Sequence, residues 1–129
     1  MCIRDRFGVA VLLDLHSMPA PPSGVAVVLG DRYGRSAPAR FVARAESVAL
    51  ASGFSTALNT PYAGGHTLER HAAPQGGIHA IQLEIDRGRY LDRALDQPGP
   101  GLPATARMVR RLIDALTDEA LGALAQAAE

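Results

Sequence analysis

The nine residues Phe7-Gly8-Val9-Ala10-Val11-Leu12-Leu13-Asp14-Leu15 decide the fold class. The run is nearly continuous in apolar, β-prone side chains, which is how a strand buried on both faces of a mainly parallel sheet reads. His16 and Ser17 follow it. The prolines of Met18-Pro19-Ala20-Pro21-Pro22-Ser23-Gly24 then end it, because proline has no amide hydrogen to give to a strand ladder. His16 is thereby placed at the carboxyl end of a strand, where open α/β sheets put their ligands.

A second strand is clearer still. In Ile78–Asp86, the residues Ile81, Leu83 and Ile85 alternate with Gln82, Glu84 and Asp86, so one face is apolar and the other polar, with Glu84 on the polar one. Between these two strands, residues 25–29 predict a strand closed by a polar turn at residues 30–34. Ser36 is read as the cap of a helix that runs to about Ser52, with Ala39, Val42, Ala43, Val48 and Leu50 on its apolar positions and Gly53 as its stop. Residues 54–58 give a short strand, residues 59–66 a loop by their Pro and Gly content, residues 67–71 a short helix and residues 74–77 a turn. Residues 87–95 begin a helix or an ordered connection, which Gln97-Pro98-Gly99-Pro100-Gly101 breaks. From Pro103 onward, Met108, Leu112, Leu116 and the Ala/Leu-rich tail predict one or two amphipathic helices with a break near Thr117. Strands interleaved with helices make the class α/β, a mixed, mainly parallel sheet flanked by helices.

Composition narrows the function. A chain of 129 residues, 47% apolar and 20% charged, is one domain's worth of ordinary globular sequence. Thirteen basic residues, all arginine, balance thirteen acidic ones, so there is no charge surplus for a nucleic-acid or membrane surface. No apolar run approaches the roughly 20 residues of a membrane span. The single cysteine, Cys2, allows no intrachain disulfide and fits a reducing, cytoplasmic address. The apolar stretch near the start has the length of an export signal's core, but Asp14 and His16 follow it without a small-residue cleavage site. Residues 1–6, MCIRDR, carry no cap, turn or pattern and read as a non-native leader ahead of a central strand.

Three sets of residues can carry chemistry. His16 shares a strand face with Asp14, which would orient an imidazole, although two residues along one strand is an awkward geometry for a direct hydrogen bond; the other reading is a hydrogen-bonded structural histidine. Glu84 is a carboxylate in a strongly β-patterned strand, either a general base whose pKa burial raises or part of a solvated face. Gln82 and Asp86 share its side and can set its hydrogen bonding, and Arg87 and Arg89 can neutralise it or meet an anion. His66 and Glu69 have the i, i+3 spacing of a zinc-chelating pair, and with His16 they would make a three-ligand site; otherwise the pair belongs to a substrate loop. His71 and His79 read as surface or structural residues. No complete Walker or Rossmann fingerprint is present.

Four blocks, taken in order, carry a resemblance. They are Leu13-Asp14-Leu15-His16-Ser17-Met18-Pro19, Val28-Leu29-Gly30-Asp31-Arg32-Tyr33-Gly34, Asn59-Thr60-Pro61-Tyr62-Ala63-Gly64-Gly65 and Gly77-Ile78-His79-Ala80-Ile81-Gln82-Leu83-Glu84-Ile85-Asp86-Arg87. Together they resemble the N-formylglutamate amidohydrolase family. The resemblance implies an α/β fold related to zinc carboxypeptidases and aspartoacylases, and hydrolysis of N-formyl-L-glutamate to formate and L-glutamate, as in histidine degradation. It implies one zinc ion with His16 as its last ligand, and Glu84 as the general base. Arg32 and Arg87 are the implied clamps for the carboxylates of a small anionic substrate, and the loop with Asn59, Tyr62, Gly64, Gly65 and His66 is the implied wall or lid of the pocket. The family's earlier zinc-binding histidine and acidic residue have no counterpart here. The expectation is therefore a partial amidohydrolase catalytic domain over residues 7–129, with an incomplete zinc ligand set, weak zinc binding and little hydrolysis by the chain alone. The competing readings are a hydrolase of another N-acyl amino acid and a non-catalytic α/β ligand-binding domain.

Overall fold

In the computed structural model, which describes residues 2–128, four strands make one sheet. They are β1 (Ala10–Met18), β2 (Val27–Gly30), β3 (Thr56–Leu58) and β4 (Ile78–Asp86), in the spatial order β1, β4, β2, β3. β1 runs parallel to β4 and β2 parallel to β3, while β4 and β2 are antiparallel. The sheet is mixed and mainly parallel, as the alternating and continuous apolar runs require. Four α-helices accompany it: α1 (Ile3–Phe7), α2 (Ala39–Ala51), α3 (His66–His71) and α4 (Leu102–Ala127).

Side-chain parity sorts the sheet into two faces. Odd-numbered Ile81, Leu83 and Ile85 of β4 stand beside Val27 and Leu29 of β2 and pack on Phe41, Val42, Ala45 and Ala49 of α2 and on Met108, Leu112, Leu116 and Ala120 of α4. Each fully buried branched or aromatic side chain there stabilises the fold by about 1.5–3 kcal/mol. The even-numbered residues of β4 turn to the other face, which the short α3, through the fully buried Leu68, and the loop that leads into it cover. β4 is central, so even its polar residues Gln82 and Glu84 are buried.

Several elements differ from the sequence reading. β1 starts at Ala10 instead of Phe7, because residues 3–7 form α1 and Gly8 closes that helix in a left-handed conformation, φ 84°, with its amide on the Arg4 carbonyl. The segment read as a leader thus has a helix of its own, and Arg4 Nη1 donates to the Gly76 carbonyl at 2.9 Å. β1 also continues through His16 and Ser17 to Met18; among the described residues β4 is its one strand neighbour, and its side chains before the buried Met18 are half-buried or exposed, Leu15 54% exposed. Ser36 does not cap α2. It is buried and its hydroxyl donates to the Ala80 carbonyl at 2.8 Å, tying the loop to β4, while Pro38 precedes the helix. Of the two readings of residues 87–95 the structure has the ordered connection: a 3-10 turn, Arg87–Arg89, a bridge from Leu91 to Pro98, and Asp92 accepting from the amides of Asp96 and Gln97. The C-terminal segment is one helix without a break, since the Thr117 hydroxyl is satisfied inside it by the Ile113 carbonyl at 2.8 Å.

Candidate active site

Strand register lays two rows of residues across the open face. One row is Val28, Glu84 and His16, and the next is Gly30, Gln82 and Asp14. The four polar side chains of these rows pair along their own strands. Gln82 Nε2 donates to Glu84 Oε1 at 2.9 Å, and His16 Nε2 lies 2.9 Å from Asp14 Oδ2. The His16–Asp14 bond is made directly despite the awkward spacing, because residues two apart in a strand stand on one face. Glu84 is 7% exposed. Burial pushes its carboxyl above the usual range, the charge of Asp14 adds to this, and the His16 charge and the Gln82 amide work against it. His16 is pushed upward by its hydrogen bond to Asp14, with burial opposing.

A glycine lets the loop after β3 reach this face. A Cβ on Gly30 would lie 2.6 Å from the carbonyl carbon and oxygen of Ala63, so only glycine allows that backbone to rest on β2. The Gly65 amide then donates to Gln82 Oε1 at 3.1 Å. Gly64 has φ +118°, and a Cβ there would come within 2.5 Å of Leu68 Cδ2 and 3.1 Å of Arg32 Cγ, so the Arg32 stem lies beside it. The result is a continuous set of contacts from Arg32 through Gly64, Gly65 and Gln82 to Glu84.

Arg32 is presented by a strained turn. Arg32, Tyr33 and Asn59 all have positive φ, 51°, 56° and 64°, conformations that cost an ordinary residue about 1–3 kcal/mol each and need outside support. Asp31 and Asn59 supply it. Asn59 Oδ1 accepts from the amides of Asp31 and Tyr33, and its Nδ2 donates to Asp31 Oδ1, which also takes the Gly34 amide. Both ends of the Asn59 side chain are thereby engaged within the loop. Tyr62 is 38% exposed on the same loop, and His66 opens α3 with its side chain exposed.

The remaining candidates fall elsewhere. His16, His66 and Glu69 do not come together: among the described residues no group of three or more His, Cys, Asp or Glu side chains is placed to hold a metal ion. A catalytic zinc takes three protein ligands. With Nε2 on Asp14, His16 has Nδ1 left for a metal, and a carboxylate behind a histidine is the arrangement that orients such a ligand. One such histidine does not complete a zinc site, and the described residues do not fit the ion by themselves. Asp86 caps the turn after β4 by accepting from the Gly88 amide, and it does not set Glu84. Arg87 lines a separate pocket of about 460 Å³ with Pro19, Asp86 and Arg89, and its buried Nε has no hydrogen-bond partner among the described residues. His79 is structural, on the opposite face, its ring stacked on Phe41 at 4.5 Å between centroids. Gly30 is a site residue that the sequence reading does not single out. The signal for it is there: a glycine that ends an apolar strand marks a close backbone approach.

Comparison with known proteins decides the family. The model of the N-formylglutamate amidohydrolase family matches residues 2–91. The chain belongs to the N-formylglutamate amidohydrolase family. An N-formylglutamate deformylase of Pseudomonas aeruginosa is 30% identical over 123 residues, covering 88% of this chain and 46% of the relative. One from Pseudomonas putida is 34% identical over 97 residues, covering 70% of this chain and 36% of the relative. Among solved structures, the N-formylglutamate amidohydrolase of Ralstonia eutropha JMP134 matches with a TM-score of 0.75 and 28% identity, over 91% of this chain and 44% of that one. The chain spans less than half the length of these family members. The family match includes β1, β2, β3 and β4, and so both rows of the site face.

Proposed function

We propose that this chain carries the general base and part of the substrate pocket of an enzyme that hydrolyses N-formyl-L-glutamate to formate and L-glutamate. The observation that carries this reading is Glu84: a buried carboxylate of raised pKa, facing His16 and held by Gln82, which in turn accepts from the Gly65 amide of the loop that lies beside the Arg32 stem. The names of the relatives supply the substrate.

The chemistry follows from these groups. Amide hydrolysis needs a water made nucleophilic and an amine leaving group that receives a proton. An ionised Glu84 with a raised pKa is a stronger base than an ordinary surface carboxylate. It takes the proton of the attacking water as the C–O bond forms at the formyl carbon, and it returns that proton to the amide nitrogen as the C–N bond breaks. Gln82 holds the Glu84 oxygen that does not need to move, and through Gly65 it ties the position of the base to the loop. N-formyl-L-glutamate carries two carboxylates, and the guanidinium of Arg32 suits one of them by bidentate hydrogen bonding, while Arg87, in its separate pocket, is not assigned to the other. Tyr62, Gly64, Gly65 and His66 form the proposed wall, with Asn59 holding its shape. The implied zinc would supply Lewis acidity to the formyl oxygen. His16, oriented by Asp14, is the one ligand this chain proposes for it. The proposed setting is histidine degradation in the cytoplasm; no helix among the described residues is long and apolar enough to cross a membrane.

The test is formate release from N-formyl-L-glutamate at high protein concentration, with zinc added and with a chelator, for the natural chain and for Glu84→Gln. The expected result is a loss of at least about 100-fold in Glu84→Gln, since a positioned general base contributes roughly 10²–10⁴-fold. Equal rates in the two proteins, both above the protein-free background, would overturn the assignment of Glu84.

A further inference from the structure

We propose that the pocket at the carboxyl ends of β1 and β4 binds a small monocarboxylate with a short apolar body, at a site separate from the Glu84 face. The pocket lies where the Met18–Asp86 pair ends the ladder between the two strands. Its volume of about 460 Å³ is in the range of pockets that hold small molecules, and Pro19, Ala20, Asp86, Arg87, Arg89 and Leu95 line it. None of Arg32, Gly64, Gly65, Gln82 and Glu84 does, so the inference stands whatever the substrate of that face.

Charge inside the pocket is uneven. Asp86 is the one carboxylate among the described residues that line it, and both its oxygens are engaged: Oδ1 accepts from the Gly88 amide at 2.9 Å, and Oδ2 faces Arg89 Nε at 3.9 Å. Arg87 has no such partner. Its Nε is buried from solvent and makes no hydrogen bond among the described residues. A charged donor taken out of water is costly to leave unpaired, and an incoming anion relieves that cost. Two guanidinium groups against one carboxylate leave a surplus of one positive charge. A monoanion matches that surplus, whereas a dianion such as phosphate brings excess charge up to Asp86. The planar fork of a guanidinium suits a carboxylate. Pro19, Ala20 and Leu95 make the rest of the wall apolar, a surface that an inorganic anion leaves unused.

The wall is braced from behind. A Cβ on Gly101 would run into the Arg89 carbonyl oxygen, and Thr105 Oγ1 lies 3.3 Å from the same oxygen, so the start of α4 rests on the turn that carries Arg87 and Arg89. Leu95, at φ 56°, gives its amide to the Asp92 carbonyl at 2.9 Å. Asp92 Oδ1 in turn takes the amides of Asp96 and Gln97 at 3.0 and 3.3 Å. A wall that is already ordered spares a small ligand the cost of ordering it.

The experiment titrates the full ¹⁵N-labelled chain with sodium butyrate at neutral pH and constant ionic strength, reading the backbone amides and the Arg87 Nε–H. The expected result is saturable shifts at Arg87, Gly88 and Arg89, with the Gly64 and Gly65 amides unmoved. Arg87→Gln is expected to weaken binding at least about 10-fold, by loss of a charge-assisted pair. Arg89→Gln, at a side chain 41% exposed, is expected to weaken it about 3-fold. Inorganic phosphate at the same ionic strength is expected to bind at least about 10-fold more weakly than butyrate, because of Asp86. Any of four results would overturn the proposal. They are no saturable shift beyond what sodium chloride produces, shifts centred on Gly64 and Gly65, full affinity retained by both variants, or phosphate binding as tightly as butyrate.

Discussion

The two faces of one four-stranded sheet are built from alternate residues of the same strands, yet they do opposite things with polarity. On the face toward α2 and α4, Ile81, Leu83 and Ile85 are sealed under two helices, and the buried histidine there, His79, is stacked on Phe41 with its Nδ1 lacking a hydrogen-bond partner among the described residues. On the face toward α3, Gln82 and Glu84 are buried to almost the same degree but are hydrogen-bonded to each other, and Gln82 also accepts from the Gly65 amide. Burial alone therefore does not mark the site. What separates the faces is that one arranges its polar groups into a connected set beside a reachable loop, and the other excludes polar groups or leaves them unpartnered.

The largest effect should come from damage to the sealed face. Leu83→Ala removes a fully buried side chain at the centre of the core and is expected to cost about 2–5 kcal/mol in chemical denaturation. A loss well under about 1 kcal/mol would break the distinction between a packed face and a working one. The next effect belongs to the loop that roofs the site. Gly64→Ala forces a left-handed φ on an L-residue and drives Cβ into Leu68 and Arg32, so a loss of about 1–3 kcal/mol is expected, together with altered chemical shifts at Gly65 and Gln82.

The smallest effect sharpens the contrast through pH. His79 is pushed below its ordinary value of 6.5 by burial, with Arg40 adding to the effect, so the unfolded chain binds its proton more tightly than the folded one. The stability it permits is fully present above about pH 6.5 and is lost as pH falls through the lowered folded value. Glu84 behaves the other way. Its folded pKa is raised above 4.5, so its contribution is fully present below about pH 4.5 and is lost as pH rises through the folded value. His79→Phe should flatten the first slope and Glu84→Gln the second, both read from denaturation midpoints of the chelator-treated protein across about pH 4–8. Slopes unchanged in both variants would contradict the opposite placement of the two groups.

The frame is legible in the sequence where local pattern and tertiary context agree. Ile78–Asp86 can be read to the residue because alternation fixes both a strand and its faces. His16 and Glu84 stand out singly, but the register that sets them side by side does not, since pairing depends on contacts far apart in sequence. The run at residues 7–15 reads as a doubly covered strand, whereas among the described residues β1 has β4 as its one strand neighbour, Leu15 is 54% exposed and the odd-numbered side chains Val11 and Leu13 line the groove under α4. Ser36 shows a second limit, because a serine before a helix reads as a cap even when its hydroxyl is claimed by a strand 44 residues away. The zinc set is not legible from spacing, as His66 and Glu69 carry a chelating interval without meeting His16.

The placement of the site on the α3 face is tested most directly by titrating the ¹⁵N-labelled chain with N-formyl-L-glutamate and mapping the amides that shift. The expected result is a cluster at Arg32, Gly64, Gly65, Gln82 and Glu84, with α2 and the buried stripe of α4 unmoved. Shifts confined to α2 and α4, or none at saturating ligand, would contradict that placement.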